Sequence, residues 1–227
     1  MGTWPDSAEE LVREQEALAR AAPPLWRRRA GGSLAIAGCF VCFARGKTGP
    51  GRAGDPGWAG SAVIRHGRLV ASAVVSGEAG APYEPGLLAL REGPLLEAAV
   101  RALEVEPDVL LVNATGRDHP RRAGLALHLG ALLDLPTIGV THRLLVAEGA
   151  WPDDGRGMMR PFRLGGDVVG HWLRTRRGTR PLAVHAAWRT DPDRAIEVLL
   201  ASLSRMRTPE PLRRARQAAR TARASAG

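Results

Sequence analysis

An amide, a hydroxyl, a guanidinium, a carboxylate and an imidazole follow one another closely at Asn113, Thr115, Arg117, Asp118 and His119. They come after Asp-Val-Leu-Leu-Val at 108–112, a short apolar run that reads as a strand. Their loop, Ala114 to Arg121, leads into a segment of 3.6-residue period, Arg122 to Leu133, and then into Leu-Pro-Thr-Ile-Gly-Val at 135–140. Strand, helix and second β-rich run make a βαβ unit, which implies parallel strands. Ligands of such sheets bind where strands end and loops begin, so these polar residues lie where a site would form.

Other residue types suggest chemistry with less force. Tyr83 stands in Pro82-Tyr83-Glu84-Pro85-Gly86, where prolines stiffen the turn. A rigid aromatic there either stacks on a base or covers the edge of a core. Glu92 lies on the first turns of a helical pattern that starts at Leu87, and alone it reads as a solvated carboxylate. Cys39 and Cys42 have the spacing of redox and metal pairs, but residues three apart on a strand point to opposite faces, so they read as buried thiols. Gly46-Lys47-Thr48 imitates a phosphate loop. That motif needs a glycine where Val41 stands and a helix where Gly49-Pro50-Gly51 follows, so the nucleotide reading is rejected.

The elements around these residues suit one core. At 227 residues the chain reads as a single domain, 1–227, with a basic C-terminal tail from about 212 to 227. Ser33 to Ala44 is a fully buried central strand, and runs 59–65 and 68–76, joined at His66-Gly67, form a hairpin beside it. Before them Asp6 or Ser7 caps a helix that Pro23-Pro24 stops. Residues 45–60 read as a flexible turn region and 141–166 as a long excursion. Asp167–Thr175 and Arg180–Ala187 are two more strands, and Asp191 or Thr190 caps a helix through Met206. The tail carries Arg213, Arg214, Arg216, Arg220 and Arg223 without an acid between them, and is either a frayed basic helix or a disordered arm suited to phosphate contact.

Charge narrows the partners. Thirty-two basic residues against 23 acidic ones give +9, which favours a polyanion; Lys47 is the only lysine, and a GC-rich genome would also produce that arginine bias. No run of 18 apolar residues and no signal-peptide core is present, so a cytoplasmic protein with no membrane partner, and a monomer, is expected.

Pro82-Tyr83-Glu84-Pro85-Gly86-Leu87-Leu88-Ala89-Leu90-Arg91-Glu92 resembles the PYxPGLLxFRE segment of the endonuclease V family. His119-Pro120-Arg121, then Gly124 to Gly130 and Pro136 to Val140, is similar to that family's central block, and Pro209-Glu210-Pro211-Leu212 to its C-terminal signature. The resemblance implies an α/β, ribonuclease H-like fold, a mixed β-sheet flanked by helices on both faces. It implies DNA or RNA as partner, single-stranded or mismatched, and magnesium-dependent hydrolysis near deoxyinosine or inosine. It also carries a nucleic-acid-binding set over to Pro82, Tyr83, Pro85, Gly86, Leu88, Arg91, Ala114, His119, Pro120 and Arg121.

The implied catalytic positions are less well kept. The family's first aspartate falls on Phe40, its glutamate on Glu92, its second aspartate on Asn113, its lysine on His142 and its late histidine on Trp188. Magnesium prefers carboxylate oxygens; Phe40 offers no ligand atom and Asn113 a neutral one, so only Glu92 of the former ligand positions Phe40, Glu92 and Asn113 keeps its charge. No metal site is therefore expected, with magnesium as the cofactor if the family activity is retained. Asp118 is a poor replacement five residues into its loop. The reading is a nucleic-acid-binding protein of inosine-type recognition that has lost cleavage. The alternatives are an active endonuclease, acting in DNA repair or on inosine-containing RNA, and a protein-binding scaffold.

Overall fold

The apolar stretch from Ser33 to Ala44 forms β1 (Ile36–Phe43), a strand covered on both faces, in the computed structural model, which describes residues 3–28, 31–44 and 49–226. On one side β1 pairs antiparallel with β2 (Pro56–Arg65), which turns into β3 (Arg68–Glu78). The turn residues His66 and Gly67 both have positive φ, 50° and 72°, the backbone of a tight two-residue hairpin. On its other side β1 runs parallel to β4 (Val109–Val112), and β4 parallel to β5 (Thr137–Thr141). The antiparallel meander and the parallel βαβ unit expected from the sequence are both present.

The sheet is completed by β6 (Met159–Leu164), β7 (Asp167–Leu173) and β8 (Leu182–Ala186), in the order β3-β2-β1-β4-β5-β8-β7-β6. Its helices are α1 (Ala8–Arg20), α2 (Leu88–Arg101), α3 (Leu125–Leu133), α4 (Pro192–Ala201) and α5 (Glu210–Ser225). One apolar cluster joins α1, α2 and α3 to Ala37, Cys39, Val41, Leu110 and Val112; another joins α4 and α5 to Ile36, Val109, Leu111, Ile138 and Val140. Alternation along each strand thus sends successive side chains to opposite helical layers. This mixed sheet between helices is the ribonuclease H-like architecture.

Four segments differ from the sequence reading, the first being the turn region 45–60, whose last five residues belong to β2. The excursion 141–166 contains β6, whose Pro161 and three consecutive exposed residues, Met159 to Pro161, hide the strand pattern; fully buried Phe162 anchors it. The helix capped by Asp191 stops at Ala201 instead of Met206. The basic tail is neither frayed nor an arm. Leu212, Ala215 and Ala219 of α5 are buried against the sheet, so closely that a Cβ on Gly38 would lie 2.5 Å from the Pro211 carbonyl carbon and one on Gly60 2.5 Å from the Ala215 oxygen. Glu210 also supplies the acid the tail lacks, pairing with Arg213 and Arg214. Cys39 and Cys42 are both buried and no disulfide joins them. Gly46-Lys47-Thr48 lies outside the described residues. Among the described residues no helix is long and apolar enough to cross a membrane.

Candidate nucleic-acid interface

The site is organised around one carbonyl. Gly86 adopts φ +83°, a conformation that favours glycine, and its oxygen is met by Gln15 Nε2 at 3.1 Å, Arg121 Nη2 at 3.0 Å and His119 Nε2 at 3.1 Å. The Arg121 backbone N–H donates to His119 Nδ1 at 3.2 Å, so the imidazole proton belongs on Nε2, aimed at Gly86. Burial pushes the His119 pKa down to about 4, which keeps the ring neutral in this role. Arg121 Nε also donates to Gln15 Oε1 at 2.6 Å. His119-Pro120-Arg121 therefore pins the Pro82–Gly86 turn from below. Above it Tyr83, anchored by its backbone N–H to the Pro50 carbonyl at 2.7 Å, leaves its ring 48% exposed beside exposed Pro82 and Pro85.

Between turn and strand ends lies a cavity of about 150 Å³. Tyr83, Gly86 and Leu88 form one wall, Asn113, Ala114, Thr115 and His119 the other, and Gln15, Thr141 and Leu145 close it. Seven residues named from sequence thus converge on one cavity: Tyr83, Gly86, Leu88, Asn113, Ala114, Thr115 and His119. A cavity of about 620 Å³ lies at the opposite ends of the same strands, beside Leu34, Asp108 and Pro136, and shares none of these motifs.

Asp118 does something else. It is fully buried, and its carboxylate accepts the backbone N–H groups of Leu145, Val146 and Ala147 at 2.7–2.9 Å. It shapes the cavity rim and is unavailable as a metal ligand. His185, also fully buried, has Nδ1 3.7 Å from Asp118 and Nε2 2.8 Å from Thr141 Oγ1, and burial outweighs the carboxylate in lowering its pKa.

On the α5 side of the sheet the picture changes. Phe40 shares that face with Gly38, and the guanidiniums of Arg216 and Arg220 stand 5.0 and 5.9 Å from its ring centroid. Asn113 lies one step past the last parallel pair, Cys39–Val112, and is therefore the strand neighbour of Phe40. His142 follows β5 on the same face, its Nδ1 3.2 Å from Arg207 Nη2. Glu92 stands on α2, near enough to Cys39 to raise that thiol further, and burial lifts its own pKa to about 7.

Two other candidates are engaged elsewhere. Arg91 is buried, 3.1 Å from Asp55 and bonded to the carbonyls of Arg52 and Ala81, with Phe43 stacked on it; it is spent inside the protein and cannot meet a phosphate. Trp188 packs against α3 and does not line the cavity. The donor set does not suit a hard divalent cation: Phe40 has no ligand atom and two guanidiniums above it, and Asn113 is neutral, which leaves Glu92 as the one carboxylate of the three positions. Sequence reasoning missed Gln15, Thr141 and the approach of Arg207 and Arg216. Only the i, i+4 spacing of Arg216 and Arg220 offered a signal.

A mixed eight-stranded sheet between helices, with a pinned aromatic turn over a cavity at its strand ends, defines a ribonuclease H-like domain. Residues 35–217 match the family model described as Endonuclease V, and the chain belongs to the endonuclease V family. It is 39% identical over 167 residues to Endonuclease V of Roseiflexus castenholzii, covering 73% of this chain and 75% of that one. It is 44% identical over 134 residues to Endonuclease V of Roseiflexus sp., covering 59% of this chain and 60% of the relative, which is less than two thirds of its length. The crystal structure of Endonuclease V from Streptomyces avermitilis superposes with a TM-score of 0.84 at 35% identity, over 98% of this chain and 96% of that chain.

Proposed function

We propose that the protein binds DNA or RNA, seating one unpaired base of inosine type in the cavity under Tyr83, and does not cleave it by metal-dependent hydrolysis. The observation that carries this reading is Phe40, where the family resemblance places an aspartate, lying under the guanidiniums of Arg216 and Arg220. A divalent ion brought there would face cations instead of carboxylates, and without it neither an activated water nor a clamp on the leaving oxygen forms. Recognition needs none of those groups. The cavity is apolar at Leu88, Ala89 and Leu125 and polar at Asn113, Thr115 and Thr141, a mixture that suits a base with both a ring face and a hydrogen-bonding edge.

Retained Glu92 supports a second reading, an active endonuclease with a rearranged site. One assay separates them: binding and cleavage of inosine-containing and plain oligonucleotides with magnesium and with manganese. Tight binding without nicking is expected. Metal-dependent turnover that disappears in Glu92→Ala would establish the active enzyme.

A further inference from the structure

The arginines of the tail fall into two groups. Arg213 and Arg214 are held by Glu210, and Arg223 Nη1 donates to the Phe43 carbonyl. Among the described residues Arg216 and Arg220 have no carboxylate partner; each is held by the face of Phe40 alone, and Arg216 Nε is buried without a hydrogen bond. Arg207 joins them from the turn after α4, bonded to the Arg180 and Pro181 carbonyls and to His142. The positive groups are close enough that Arg207 and Arg220 both depress Arg216, while Arg207 and Arg216 both depress His142, in each case after desolvation.

We propose that Arg216 and Arg220 on Phe40, with Arg207 and His142 beside them, bind a backbone phosphate of the nucleic-acid strand directly, at the place where the family resemblance puts a divalent metal. A guanidinium stacked on an aromatic face is fixed in orientation while its N–H edge stays free, the arrangement that recognises phosphate oxygens. Phe40 lies in β1 one step past its last pair with β4, and Asn113 and His142 directly follow β4 and β5, so the three come together where the parallel pairing stops, the position where such sheets bind ligands. Asn113 also lines the base cavity, so a nucleotide seated under Tyr83 has its phosphates beside this cluster. Mutual repulsion among unpaired cations disfavours the empty site, and an anion relieves it.

The inference rests on the nucleic-acid reading for its strand, but not for its anion. Inorganic pyrophosphate should raise the melting temperature of the full chain in EDTA, and Arg216→Gln, which keeps the side-chain stem, should abolish the rise. A rise of equal size in the variant, or none in the wild type, overturns the site. In a second arm, a labelled single-stranded inosine oligonucleotide should bind Arg216→Gln and Arg220→Gln about tenfold more weakly each, with a log K against log salt slope shallower by about 0.7. Arg101→Gln, which loses only its partner Glu97 on α2, should bind like the wild type. Arg220 is exposed, so its loss leaves folding intact. If the wild type binds pyrophosphate but no oligonucleotide, the functional reading fails and the anion site stands. If it binds the oligonucleotide with both variants unchanged, the strand does not use this site and the proposal falls.

Discussion

Asn113 divides two regions of opposite character. Toward α2 lies a neutral, closely hydrogen-bonded cavity whose histidine is held uncharged and whose turn is fixed at a single carbonyl. Toward α5 lies an aromatic ring under unpaired guanidiniums. The first is held by three side chains converging on the Gly86 carbonyl; the second is built from side chains that reach in from a helix. The two regions can therefore change separately, because different contacts hold them.

The largest test strikes the helix behind the second region. Gly38→Ala places a methyl group against the Pro211 backbone, which cannot yield as a flexible side chain would, and should destabilise the fold by about 3 kcal/mol in chemical denaturation. A loss under about 1 kcal/mol would mean that α5 is not tightly seated. The presence of Arg216 over Phe40 also alters the outcome for Phe40→Asp. The new carboxylate would meet a guanidinium, so it should recruit that arginine instead of magnesium, and thermal melts should show no magnesium-dependent rise.

Next comes Glu92 on α2. Its folded pKa of about 7 lies above the usual carboxylate value, so the folded state favours the protonated form. The cost of charging it is absent below about pH 4.5 and grows as pH rises through 7. Glu92→Gln should stabilise the protein by on the order of 2 kcal/mol at pH 8 and leave it unchanged at pH 4, read from melts across that range. No difference between the two pH values would place the carboxylate in water.

Tyr83→Ala should affect ligand and not fold. Its ring is about half exposed, so stability should move by less than about 0.5 kcal/mol, while affinity for an unpaired base should fall by about 1–3 kcal/mol. Unchanged affinity in a binding titration would make Tyr83 a cover for the core edge. The smallest effect is expected at Glu210, which Arg213 and Arg214 hold at a pKa of about 2. A depressed carboxylate stabilises above its unfolded pKa and loses that contribution only as pH falls toward 2. At pH 7, Glu210→Gln should cost below about 1 kcal/mol, since the pair is partly solvated, and should strengthen anion binding by releasing two arginines.

What could be read from the sequence followed periodicity and turn chemistry. β1, the His66-Gly67 hairpin and the β4–α3–β5 unit carry apolar patterns long enough to survive any tertiary context. β6 did not, because an edge strand with a proline and three consecutive exposed residues lacks such a pattern. Within the site, the Tyr83 turn and His119-Pro120-Arg121 were legible through local motifs. Gln15 was not, since only the fold brings it to Gly86 from 71 residues away. Arg91 misled for the same reason: its partner Asp55 sits 36 residues upstream, and nothing local announces a buried ion pair.

The seating of α5 also sets an order of events during synthesis. β1 and β2 are made early, yet the face carrying Gly38, Phe40 and Gly60 is covered by α5, residues 210–225. For most of translation that glycine-lined surface stands open beside unfinished strands, a state prone to wrong association until the late helix arrives.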